Sequence, residues 1–128
     1  MKRLLRAFMF SCVLAMVSLF SVSLFWKSPL ELTWILIAVS ILMLLVWKSR
    51  DDTITFFICG IAGALSESLA IAFGAWTYAF PSIIGIPFWL PFLWGIAALF
   101  MKRISFEVHD FINSGNKHSL EEIRAKVK

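Results

Sequence analysis

Charge is scarce in this chain, and that scarcity sets the first bound. Of 128 residues only 16% are charged, 60% are hydrophobic, and the mean hydropathy is +0.86. A soluble domain of this size needs more polar residues to cover its surface. Cysteine is nearly absent as well. Cys12 and Cys59 both fall inside apolar runs, with no CxxC spacing and no neighbouring His, so neither a disulfide framework nor a zinc site is expected. They read as small buried apolar residues. There is no glycine-rich phosphate loop, no HExxH, no nucleophile elbow and no pair of acids, so no metal and no cofactor is expected. The net charge of +4 does not point to nucleic acid, because the basic residues flank apolar runs. These limits leave an all-α polytopic membrane protein, resident in the cell membrane and, in a bacterium, in the cytoplasmic membrane.

The apolar runs predict four spans, at about 7–26, 32–47, 53–76 and 87–101, in a transmembrane domain of residues 1–103. Lys2, Arg3 and Arg6 precede the first. Its Ser21-Val-Ser23 also has the small-residue spacing of a signal-peptidase site, although the run continues through Trp26 and is long enough to span. Pro29 suits the start of the second helix, and Asp51 or Asp52 before Thr53 suits a cap on the third. The fourth run is short, and Pro91 near its first turns predicts a partly broken start. After Lys102 and Arg103, residues 104–128 read as a cytoplasmic amphipathic tail. In it Ile104, Val108, Phe111 and Ile112 recur at helical spacing. Asn113-Ser-Gly-Asn116 predicts a stop, and Ser119-Leu-Glu-Glu122 predicts a capping box for a last short helix. His109 and His118 have no companion ligand and read as solvated. Near the membrane, Lys2, Arg3, Arg6, Lys48, Arg50, Lys102 and Arg103 fall on one side and only Lys27 on the other, which puts both termini in the cytoplasm.

One acid interrupts the third run. Glu67 lies fourteen residues beyond Thr53, about 21 Å along a helix at 1.5 Å per residue, past the midplane. A carboxyl at such depth costs about 2.5–3.5 kcal/mol on insertion scales and calls for a reason. With no Lys or Arg at its level, desolvation favours the neutral, proton-bearing form of such a group. It can serve as a catalytic proton donor, or bond across helices and fix their register. Gly60, Gly63, Glu67, Ala70 and Gly74 share one helix face, and the four small residues predict close helix packing.

Aromatic residues are unevenly placed. Trp26, Trp34, Trp76, Tyr78 and Trp89 map to the outer side and only Trp47 clearly to the inner. They form either an ordinary aromatic belt or a ligand vestibule above Glu67, with Trp76, Tyr78, Trp89 and Trp94 as its wall. The order of motifs, an intramembrane Glu67, then Gly74-Ala-Trp-Thr-Tyr78, then Gly85-Ile-Pro87 opening the next helix, resembles the membrane enzymes of carotenoid metabolism. These are the carotenoid hydratases and the small lycopene cyclase type. The resemblance covers about Gly63 to Gly95 and implies that Glu67 protonates a polyene double bond. The cyclases carry further acids after the proline, where this chain has Phe88 and Trp89, and the hydratases are much longer.

Three functions are compatible with these residues. The first is a structural or interaction protein, a helical bundle that forms a homo-oligomer or joins a membrane protein partner. The second is an isoprenoid- or lipid-modifying enzyme that holds a polyene or prenyl lipid and uses Glu67 as the proton donor. The third is a proton-coupled small transporter. All three place the chain in contact with the lipid bilayer, and none needs nucleic acid.

Overall fold

The structure is a computed structural model and describes the backbone of residues 2–127 and the side chains of residues 6 and 8–115. Four helices follow one another: α1 Lys2–Phe25, α2 Pro29–Trp47, α3 Arg50–Ala72 and α4 Leu90–Val127. α1, α2 and α3 each hold a stretch long and apolar enough to cross a membrane. The apolar part of α4, Leu90 to Met101, is only about 18 Å long at 1.5 Å per residue before Lys102 interrupts it. α4 is the central element, packing against all three others and most extensively against α3, whereas among the described residues α1 and α3 do not meet.

Leu14, Leu32, Leu36, Val39, Met43, Phe56, Ala64, Ile96 and Leu99 form the core, while large apolar side chains such as Phe20, Trp34, Ile58 and Leu69 are exposed. A surface of that kind suits hydrocarbon rather than water. On α1 the face turned inward carries Ser11, Ser18 and Ser21 beside Leu14. The Ser18 and Ser21 hydroxyls donate to carbonyls one turn back, at 2.9 and 2.7 Å, so they are satisfied within their own helix. This second small-residue face has the three-four spacing of the one on α3, and the sequence reading missed it.

Several predicted boundaries move. α1 continues back through the basic leader, and Pro29 opens α2. α3 ends at Ala72, four residues before Trp76. The cause is Gly74, whose φ of +81° is left-handed. The Gly74 amide donates to Ile71 and the Ala75 amide to Ala70, the two bonds of a Schellman stop. Asp51 and Asp52 do not cap α3. The helix starts at Arg50 with Ser49 before it, and Asp52 is buried in the first turn. α4 begins at Leu90, three residues after the predicted start.

The predicted stop at 113–116 is also overturned, because α4 runs through it. Gly115 does not adopt the left-handed conformation. Ser114 donates back to the Phe111 carbonyl at 2.8 Å, and Asn113 bonds the His109 ring one turn away, so these polar groups are satisfied within the helix. The low helix propensity of Gly and Asn, about 1 kcal/mol or less each, does not break it. The side chains of His118, Ser119 and Glu122 lie outside the described residues.

Candidate functional site

The segment between α3 and α4, residues 73–89, folds over one end of the bundle. Its own backbone makes a tight turn at Ile83–Ile86, with Ile84 and Gly85 both at positive φ, +46° and +82°. Two successive positive φ values define a type I′ turn, which Gly and Asn favour and a β-branched residue resists. The Ser68 hydroxyl of α3 donates to the Ile84 carbonyl at 2.5 Å and fastens that turn to the helix. Phe80 lies against Trp26 at the end of α1, ring centroids 6.1 Å apart.

Under this segment sits Glu67. Tyr78 donates its hydroxyl to Oε2 at 2.5 Å, and the Trp94 indole N–H of α4 donates to Oε1 at 3.1 Å. One carboxyl therefore joins α3, the connecting segment and α4. Trp94 can reach it because Gly63 is bare: a Cβ there would come within 2.4 Å of the Trp94 ring. Trp89, buried, meets Tyr78 edge to face at 5.9 Å. Burial first, then the hydrogen bond to Glu67, push the Tyr78 hydroxyl well above the ordinary phenol range. Tyr78 is thus a neutral donor at physiological pH.

The predicted aromatic residues do not all converge. Tyr78 and Trp94 touch Glu67, Trp89 supports Tyr78 from behind, and Trp76 stands apart, half exposed. The space walled by Trp26, Tyr78, Ala79, Phe80, Pro87 and Trp89 is only about 50 Å³, far below the roughly 300 Å³ or more of a pocket for a drug-sized ligand. A larger groove of about 240 Å³ lies between α3 and the turn, but its lining is apolar, includes Ile61, Leu65, Ile84 and Phe88, and does not reach Glu67. Of the small residues, Gly60 faces the Pro91 carbonyl, with only 2.7 Å available to a Cβ, and Gly63 faces Trp94. Gly74 has nothing near it and belongs to the helix stop. Ala70 supplies one of the two carbonyls that the stop uses.

A second polar cluster occupies the opposite end of the α3–α4 pair. Asp52, 1% exposed, accepts from Lys102 at 2.8 Å and from the Arg103 guanidinium. The same guanidinium stacks on the Trp47 ring with Cζ 3.7 Å from its centroid, joining α2 to the pair. The signal for this cluster was present in the sequence. Antiparallel α3 and α4 that meet near Gly60 and Gly95 bring Asp52 level with Arg103. Reading Asp52 as a cap hid the pairing.

Comparison with protein-family models, with curated proteins and with solved structures finds no match for this chain.

Proposed function

We propose that this chain is a small integral membrane protein with a structural or interaction role. It is a four-span bundle with both termini in the cytoplasm that associates with copies of itself or with a membrane protein partner. The observation that carries this is the state of Glu67. Both of its oxygens are engaged by donors of the same chain, and among the described residues no second carboxylate, histidine or cysteine bonds to it. A carboxyl so held ties helices together. The seven-to-one bias of membrane-proximal basic residues supports the topology, with Lys102 and Arg103 ending the fourth span. Cross-linking in native membranes should trap a defined oligomer or a specific partner. A chain that remains a partnerless monomer would contradict the proposal. Reporter fusions after Lys128 and at Ser82 should give activity on opposite sides of the membrane.

One observation favours a second function. Tyr78 both bonds Glu67 and lines the small aromatic pocket; with Glu67 protonated and the phenol O–H turned outward, a proton passes from the acid through the phenol to a double bond at the pocket mouth, and the cation formed returns a neighbouring proton to the carboxylate by the same path, shifting the double bond. Such an enzyme would copurify with a prenyl or polyene lipid, detectable by mass spectrometry of extracts. Finding bulk phospholipid alone would count against it.

A further inference from the structure

Four of the six residues around the small pocket at the Glu67 end are aromatic: Trp26, Tyr78, Phe80 and Trp89. Trp26 follows α1, and the other three belong to the connecting segment. Their planes differ. Tyr78 and Trp89 meet at 88° and form a corner, while Trp26 and Phe80 are inclined at 42°. Trp89 is buried, whereas Trp26 and Phe80 are each nearly half exposed, so the pocket opens on their side. Among the described residues no charged side chain lines it, and its one hydroxyl, on Tyr78, already donates to Glu67. A single water needs about 10–15 Å³ of such space, so the pocket's volume of about 50 Å³ takes a group of roughly four heavy atoms.

We propose that this pocket binds a quaternary ammonium group, carried by a lipid headgroup or by a free solute. A trimethylammonium matches the space, spreads its charge over methyl groups and has no N–H. It therefore needs no acceptor, and aromatic rings supply its attraction. A primary ammonium is compact and strongly hydrated, and it needs acceptors for its three N–H groups, which this lining does not offer. Two further observations agree. The Trp26 ring already draws one cation, the Lys27 ammonium 5.3 Å from its centroid, and Lys27 does not line the pocket. Behind Tyr78 lies the Glu67 carboxyl, and a phenol that donates to a carboxyl is polarised so that its ring gains electron density. The inference goes beyond the structural and enzymatic readings above and requires neither.

The test uses the full chain in a neutral maltoside detergent, with binding followed by ligand NMR. The probes are choline, its uncharged isostere with a quaternary carbon in place of nitrogen, and ethanolamine. Choline should bind about tenfold tighter than either, the effect of a cation held over desolvated rings. Trp26→Leu and Phe80→Leu, both at half-exposed rings, should each lower choline affinity about fivefold while leaving the unfolding midpoint and the isostere's affinity in place. Lys27→Gln removes a like charge beside the pocket and should tighten choline about twofold. Short-chain lipids with choline and ethanolamine headgroups then separate the two sources. A preference for the choline lipid assigns the site to a headgroup, and a preference confined to the free compounds assigns it to a solute. Choline bound no tighter than its isostere or ethanolamine, a preference that survives both leucine variants, or weaker choline binding in Lys27→Gln would overturn the inference and leave the structural reading of Glu67 standing.

Discussion

The two ends of the α3–α4 pair hold an acid in opposite ways. At one end Asp52 meets two cations, Lys102 and Arg103, with Trp47 stacked on the guanidinium. At the other, fifteen residues along α3, Glu67 meets two neutral donors, Tyr78 and Trp94. An ion pair cancels charge, and its strength lies in the Coulomb term once both partners are buried. A carboxyl between neutral donors gains less per bond but fixes geometry, because each donor comes from a different segment. The charged end thus secures helix to helix. The neutral end positions a connecting segment that has no regular secondary structure of its own.

The sharpest way to break this contrast is to remove one charge. Asp52→Asn should destabilise the bundle by about 3 kcal/mol, because it leaves two partly buried cations without a counter-ion. Thermal unfolding in detergent would measure it. Adding Arg103→Gln to that variant should recover part of the loss, since the uncompensated charge is removed with its partner. If Asp52→Asn proves as mild as a neutral substitution, the cluster is solvated and the contrast between the ends fails.

Next in size is the contact between the two ends. Gly60→Val should cost about 2 kcal/mol, because its first side-chain carbon would sit 2.7 Å from the Pro91 carbonyl oxygen and backbone cannot easily give way. Gly74→Ala is the informative companion, since nothing lies near that position. Its cost, about 1 kcal/mol, would come from the left-handed φ alone. The two can be told apart by a cysteine cross-link between α3 and α4 near Gly60. The first substitution should reduce cross-linking yield, and the second should leave it unchanged.

These glycines also show how far the sequence could be read. Spacing put Gly60, Gly63 and Gly74 on one face, and spacing is all a helical wheel uses. It cannot say where a helix stops, and Gly74 serves the stop. The length of the apolar runs located all four helices and the long apolar stretches, because an uninterrupted apolar run is a local property. What it could not supply was the pairing of Glu67 with Tyr78 and Trp94, eleven and twenty-seven residues away. That pairing depends on where an irregular segment crosses the bundle. Asp52 illustrates a different error. A Ser-Arg-Asp-Asp sequence before a helix looks like a cap, and local capping chemistry carries no sign of a partner fifty-one residues distant.

A smaller effect distinguishes the neutral clasp from the charged one. Glu67→Gln should cost about 1 kcal/mol or less, because the amide still offers an oxygen to Trp94 and an N–H₂ to the Tyr78 oxygen. Tyr78→Phe should cost about 1 kcal/mol and free the connecting segment at the Glu67 end. Proteolysis between 73 and 89 in detergent should then accelerate. In the double variant the losses should be less than additive, since both act on one bond. Strict additivity would show that the two groups act independently.

The smallest expected change is a gain, and it comes from the same irregular segment. Ile84 holds φ at +46°, a conformation that costs an L-residue about 1–2 kcal/mol and is rarer still for a β-branched one. Its side chain is 60% exposed, so it contributes little to the core in exchange. Asn tolerates the left-handed region and is favoured in type I′ turns. Ile84→Asn should therefore raise the unfolding free energy by up to about 1 kcal/mol, provided Ser68 keeps its bond to the Ile84 carbonyl, which the substitution leaves in place. Ser68→Ala in the same background isolates that bond. It should cost less with Asn at position 84 than with Ile, because an unstrained turn needs less holding. If Ile84→Asn destabilises instead, then the exposed Ile84 side chain is covered in the membrane. The aliphatic groove it lines with Ile61 and Leu65 would then be a contact surface, and the strain would be retained for that contact.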